Sequence, residues 1–199
     1  GQIYERSQRL ANALIELGVK PGDRVATVAW NSDRHLELYY AVSGIGAICH
    51  TVNLRLADAE MVYILNHAED RLVFFDTDMA ETVARIQPHT PAVESFISLS
   101  DAAGIPAGSP AGALDYEGLI AGVPDQYDWP VFDENAAASM CYTSGTTGNP
   151  KGVLYSHRAT VLHAMASCFA STLDLRTHDI VLPVVPMFHV NAWGIPYSS

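Results

Sequence analysis

Positive charge is scarce in this sequence: 11 lysines and arginines stand against 22 aspartates and glutamates, a formal net charge of −11. That balance argues against nucleic acid or an anionic membrane as a partner. It also repels polyanions at long range, so a phosphate-bearing ligand would need local donors and a metal ion to hold it. Cysteine is scarce too. Cys49, Cys141 and Cys168 are odd in number and show no C-x-x-C spacing, which argues against a disulfide frame and predicts reduced core thiols in a cytoplasmic setting. The eight histidines show no zinc-ligand spacing, no uninterrupted apolar run reaches membrane length, and no signal-peptide pattern is found. What is present suits a globular protein: 199 residues, 49% hydrophobic and 17% charged, are enough to bury a sizeable core.

The apolar pattern alternates between helical and strand character. Ile3, Ser7, Leu10, Leu14 and Leu17 recur at helical spacing, with Gly18 placed to cap the end. Residues 24–30 form a buried-strand pattern after a Pro21-Gly22-Asp23 turn, and Asn31, Ser32 or Asp33 can cap a helix through His35, Leu38 and Val42. A short strand at 48–52, a helix at 58–67, a strand at 71–75, a helix at 79–86 and a strand at 93–99 follow. Residues 101–113 have the composition of a surface connection. After a helical segment at 115–121 and an acidic, proline-containing run, residues 136–142 form an apolar strand. Residues 153–156 are its return, residues 157–172 a mostly apolar helix, and residues 180–185 a further buried strand. Strands alternating with helices predict an α/β fold, a doubly wound and mostly parallel sheet with helices on both faces.

Between the strands at 136–142 and 153–156 lies Thr143-Ser144-Gly145-Thr146-Thr147-Gly148-Asn149-Pro150-Lys151-Gly152. The glycines allow positive φ and close backbone approach, so successive N–H groups can converge on an anion. Four hydroxyls and Lys151 add donors and a charge. A Walker A loop would need glycine before the lysine and Ser or Thr after it; Pro150 and Gly152 occupy those places, so the P-loop reading fails. The plainer alternative is a Gly/Ser/Thr turn with a solvated lysine.

Residues 142–153, with Asp133-Glu134-Asn135 before them and Pro186-Met187-Phe188-His189-Val190-Asn191-Ala192-Trp193-Gly194 after them, resemble the adenylate-forming acyl-CoA synthetases, and most of all the branch acting on fatty and other aliphatic acids. Residues 17–25 share the likeness. The resemblance implies that residues 1–199 are an incomplete N-terminal AMP-binding domain, without the remainder of that domain and without the C-terminal lid. It implies ATP, Mg²⁺ and coenzyme A as co-substrates and metal: a carboxylate attacks the α-phosphate of MgATP to give an acyl-adenylate, and the coenzyme A thiol then displaces AMP. In this likeness Thr143 contacts Mg²⁺; Ser144, Gly145, Thr146, Thr147 and Gly148 cradle phosphate; and Lys151 is a mobile charge over the polyphosphate. His189 falls beside the acyl carboxylate and Trp193 at a position that can close the acyl tunnel. From the residues alone, His189 and Trp193 could equally be core-filling.

Two rivals stand beside this expectation: a nucleotide-binding or regulatory relative without catalysis, and an enzyme that adenylates another carboxylate such as an amino acid. Intact Thr143 and Lys151 favour catalysis, and the His-Val-Asn-Ala-Trp-Gly run favours an aliphatic acid. Chain length of the acid cannot be read from the sequence. The 199 residues by themselves are expected to be inactive, because the likeness puts the adenine, ribose and lid contacts elsewhere.

Overall fold

A computed structural model of the chain describes residues 1–101, 104–143 and 148–198. Seven strands form one sheet in the order β5-β4-β3-β1-β2-β6-β7. The chain runs α1 (Gln2–Glu16), β1 (Arg24–Val28), α2 (Asp33–Gly44), β2 (Ile48–Thr51), α3 (Asp58–Ala68), β3 (Asp70–Phe75), α4 (Ala80–Ile86) and β4 (Ser95–Ser98). It continues through β5 (Leu114–Asp115), α5 (Tyr116–Ala121), β6 (Ala137–Thr143), β7 (Lys151–Ser156), α6 (His157–Ser167) and α7 (Ile195–Ser198). Every pairing is parallel except β6 with β7. The doubly wound, mostly parallel sheet expected from the alternation is therefore the fold.

The strands are apolar on both sides because both faces are covered. Val25, Cys49, Leu72, Phe74 and Ile97 meet Leu10 and Leu14 of α1, Leu38 and Val42 of α2, and Tyr116 and Ile120 of α5. The alternate residues Ala26, Val28, Val73, Phe75 and Phe96 meet Met61 and Leu65 of α3 and Val83 and Ile86 of α4. This period-two partition is what a parallel sheet between helix layers requires. On the first face, Arg6 holds α1, α2 and α5 together: its guanidinium contacts Glu37 at 2.6 Å and Glu117 at 2.7 Å. Gly18 ends α1 with φ of +79°, as its position predicts. Ser32 is the residue that caps α2, its Oγ accepting from the His35 N–H.

Three expectations are corrected. Of the thiols expected in the core, Cys49 and Cys141 are buried but Cys168, at the end of α6, is exposed. Residues 180–185 are not a strand. In them Ile180, Leu182 and Val184 are exposed, Pro183 lacks the N–H a ladder needs, and the carbonyls of Pro183 and Val185 are bound by the Asn31 side-chain amide instead. The last helix also stops short, at Ser167 rather than 172. The Thr172 hydroxyl turns back within reach of the carbonyls of Ala166, Ser167 and Phe169 just past the helix end, and the backbone N–H groups of Phe169 and Leu173 bond Ala166 and Ser167 there.

The order of the strands reverses at β1: α2 leads to β2 on one side, and α3 crosses back to β3 on the other. In open α/β sheets the crevice beyond the carboxyl ends of the strands at such a reversal is where ligands bind.

Candidate functional site

The glycine-rich segment joins β6 to β7. Thr143 and Lys151 are the last register partners before the connecting segment, at the turn end of this hairpin, and the Thr143 hydroxyl points to the Lys151 carbonyl at 3.5 Å. Both residues are exposed. Lys151 forms no ion pair among the described residues, so its ammonium is available to an incoming anion. Gly148, at the far side of the turn, has φ of +113°. Ser144, Gly145, Thr146 and Thr147 lie outside the described residues. Gly152 lies close under its neighbour: a Cβ there would meet the Tyr142 ring at 3.1 Å, and the ring would have to shift by a few tenths of an ångström to admit it.

Tyr142 anchors the hairpin from beneath. Its hydroxyl is 2.7 Å from Nδ1 of His67 on α3, and its ring packs against His50, centroids 5.2 Å apart. His50 in turn meets Asp70 at 2.7 Å, both side chains fully buried. Burial pushes the Tyr142 hydroxyl up to about 12, with Asp70 adding to the effect. The phenol therefore stays neutral and can share a hydrogen bond with His67.

A second segment crosses the carboxyl ends of the strands. Met187 packs into the first core and Phe188 into the second, so the chain straddles the edge of the sheet between them. Asn31 fixes this crossing by accepting from the Met187 N–H at 2.6 Å, and the Tyr39 hydroxyl donates to the Met187 carbonyl. His189 follows, exposed, its ring without a hydrogen-bond partner among the described residues.

Residues 190–193 then take φ of 49°, 49°, 48° and 56°, and Gly194 takes 74°. Four successive L-residues in the left-handed region, one of them β-branched Val190, cost about 1–2 kcal/mol each. Such a conformation persists only where its surroundings enforce it. Asn191 bonds Thr51 of β2 and Ser139 of β6, Ala192 is fully buried, and Nε2 of His163 on α6 meets the Trp193 carbonyl at 2.8 Å. The His163 ring is close enough that a Cβ on Gly194 would sit 2.5 Å from it.

Trp193 itself is 64% exposed. Together with Val190, Tyr155, Ala159 and Tyr197 it lines a mainly apolar cavity of about 470 Å³, with Ser139 and Asn191 at its polar wall. Thr51 is in register with Cys141, two residues before Thr143, so the Asn191 anchor joins the two signature segments at the same end of the sheet.

The donor set suits a polyphosphate: a lysine without an ion pair among the described residues, the Thr143 hydroxyl and a glycine-rich sequence at the turn end of the hairpin. For Mg²⁺ the fit is narrower. Thr143 offers one neutral oxygen, and no cluster of three His, Cys, Asp or Glu suited to a metal occurs among the described residues. A small hard cation here would take its other ligands from phosphate and water.

Sequence reasoning missed Thr51, Ser139 and His163, and gave Asn191 no role. Thr51 is 140 residues from Asn191, a separation at which no local pattern carries information. The only hint was an asparagine inside an apolar run, since asparagine tolerates the left-handed region better than most residues.

Comparison with known proteins agrees with this geometry. The profile of the AMP-binding enzyme family matches residues 1–198. A medium-chain-fatty-acid–CoA ligase of Ectopseudomonas oleovorans is 52% identical over 198 residues, all of this chain and 36% of that protein. A 3-methylmercaptopropionyl-CoA ligase of Ruegeria lacuscaerulensis is 50% identical, again over all of this chain and 37% of that protein. The chain thus spans little over a third of the length of these relatives. Among solved structures, the anthranilate CoA ligase AuaEII in complex with anthranoyl-AMP superimposes with a TM-score of 0.86 over 98% of this chain and 38% of its own; at 23% identity it shows the shared fold alone. No helix among the described residues is long and apolar enough to cross a membrane. The chain belongs to the AMP-binding enzyme family.

Proposed function

We propose that residues 1–199 are the phosphate-holding and acyl-facing part of a longer AMP-forming acyl-CoA synthetase acting on an aliphatic carboxylic acid. The observation that carries this reading is the convergence, at one end of the sheet, of the Thr143–Lys151 hairpin and the 186–194 segment with its apolar cavity. The two relatives above, both CoA ligases by name, point to the same class.

Each residue has a physical task in this scheme. Lys151 and the donors of residues 143–148 orient the β and γ phosphates and stabilise the charge that grows as pyrophosphate leaves. Thr143 Oγ1 is the protein oxygen that would hold Mg²⁺, which when bound would neutralise part of that polyphosphate charge. His189, exposed and with no side-chain hydrogen-bond partner among the described residues, is the polar group next to the reacting carboxylate, and the apolar cavity behind Trp193 takes the start of the acyl chain. Coenzyme A enters in the second half-reaction, outside the contacts available in these residues. The compartment that fits the free thiols Cys49, Cys141 and Cys168 is the cytoplasm.

The test separates the half-reactions in the full-length protein. Lys151→Ala should slow adenylation more than thioester formation from preformed acyl-adenylate. A charged hydrogen bond is worth about 1.5–3 kcal/mol, roughly tenfold to somewhat over a hundredfold in rate. Equal loss in both half-reactions would count against the role given to Lys151, and absence of any acid-dependent AMP formation would count against the function.

A further inference from the structure

We propose that Asn191 is a positioning residue whose side-chain amide, clamped between β2 and β6, holds the left-handed turn that presents His189 and Trp193 and so sets selectivity for the acid. The inference rests on the ligase reading for its consequence, but not for its geometry.

The amide is used at both ends. Its Oδ1 accepts from the Thr51 hydroxyl at 3.0 Å and its Nδ2 donates to the Ser139 hydroxyl at 2.8 Å. Asn191 is 6% exposed and both partners no more than 1%, so water cannot replace either bond without opening the core. Strands β2 and β6 are neighbours, with Cys49 opposite Ser139 and Thr51 opposite Cys141. One amide therefore ties the turn to two adjacent strands. An aliphatic side chain in its place would remove the partner both hydroxyls have in the turn.

What the clamp fixes is backbone. Trp193 is held through its carbonyl by His163 and through the buried Ala192 beside it, while its indole is largely exposed. Packing of the ring does not enforce the turn; the ring goes where the turn puts it. The same amide forms part of the polar wall of the cavity behind Trp193. A loosened clamp then changes both the wall and the position of the indole, leaving the Thr143–Lys151 hairpin untouched.

The experiment uses the full-length protein labelled with 5-fluorotryptophan and read by ¹⁹F NMR, with the Trp193 resonance assigned by Trp193→Phe. Thr51→Val and Ser139→Ala remove one partner each with little change of shape, and Thr51→Ser keeps the hydroxyl. Expected are a displaced Trp193 resonance in Thr51→Val and Ser139→Ala with Trp30 and Trp129 unmoved, a KM for the acid raised about tenfold, an unchanged KM for ATP, and wild-type behaviour in Thr51→Ser. An unmoved Trp193 resonance, or unchanged acid KM in an active enzyme, overturns the proposal. So does a Thr51→Val protein that fails to fold while Thr51→Ser folds, since the clamp would then carry the fold rather than the turn. A displaced resonance in a protein whose wild type forms no AMP with any acid would leave the clamp standing and defeat the ligase reading instead.

Discussion

Acid should loosen this fold through His35. The residue is fully buried in α2, with one ring nitrogen 2.9 Å from the Thr27 hydroxyl and the other 2.8 Å from the Trp30 carbonyl. A carbonyl only accepts, so Nδ1 carries the proton and Nε2 accepts from Thr27. Burial lowers the pKa from 6.5 to about 4, against a smaller opposing effect of the Trp30 carbonyl. Between those values the unfolded chain takes up a proton that the native one refuses. The stabilisation is therefore complete above pH 6.5 and is lost as pH falls toward 4. The gap is worth roughly 3 kcal/mol, most of it lost by pH 4.5. The consequence reaches the site, because Asn31, next to Trp30, pins residues 183–187. Urea unfolding at pH 7, 5.5 and 4.5 should show a steeper acid loss in wild type than in His35→Gln, whose amide cannot take up a proton at these values. A ¹³Cε1 shift titration should place the His35 pKa near 4. A ring that titrates near 6.5, or equal pH slopes in the two proteins, refutes the reasoning.

Trp193→Ala should change acid-chain selectivity and weaken the dependence of acid binding on nucleotide while MgATP affinity stays close to wild type; since the ring is largely exposed, the melting temperature should move little, and an unchanged chain-length profile with a lowered melting temperature would make Trp193 a packing residue. Purified residues 1–199 with MgATP and octanoate should yield no acyl-adenylate by mass spectrometry, because phosphate contacts without a grip on adenine and ribose are too few for a productive nucleotide; acid-dependent pyrophosphate release from this piece would overturn that.

The sheet was legible because its strands are apolar on both faces and separated by helices with marked ends: Leu72 to Phe75 form an apolar run between two layers, and the Asn31-Ser32-Asp33 run and Gly18 mark helix ends, although only the structure selects Ser32 as the cap. Residues 180–185 misled because strand-like composition says nothing about whether a neighbour is there to pair, and here the Asn31 amide takes the carbonyls. The hairpin end at Thr143 and Lys151 was readable as local sequence. The left-handed turn was not, since its cause lies in Thr51, Ser139 and His163, each brought to it only by the fold.

The central claim, that the hairpin and the 186–194 segment together activate an aliphatic acid, is met most directly by ATP–pyrophosphate exchange in the full-length protein with a panel of carboxylic acids. The account predicts exchange that requires an aliphatic acid, ignores amino acids and falls by at least about tenfold in Lys151→Ala. Exchange supported only by amino acids, or none with any acid while nucleotide still binds, would contradict it.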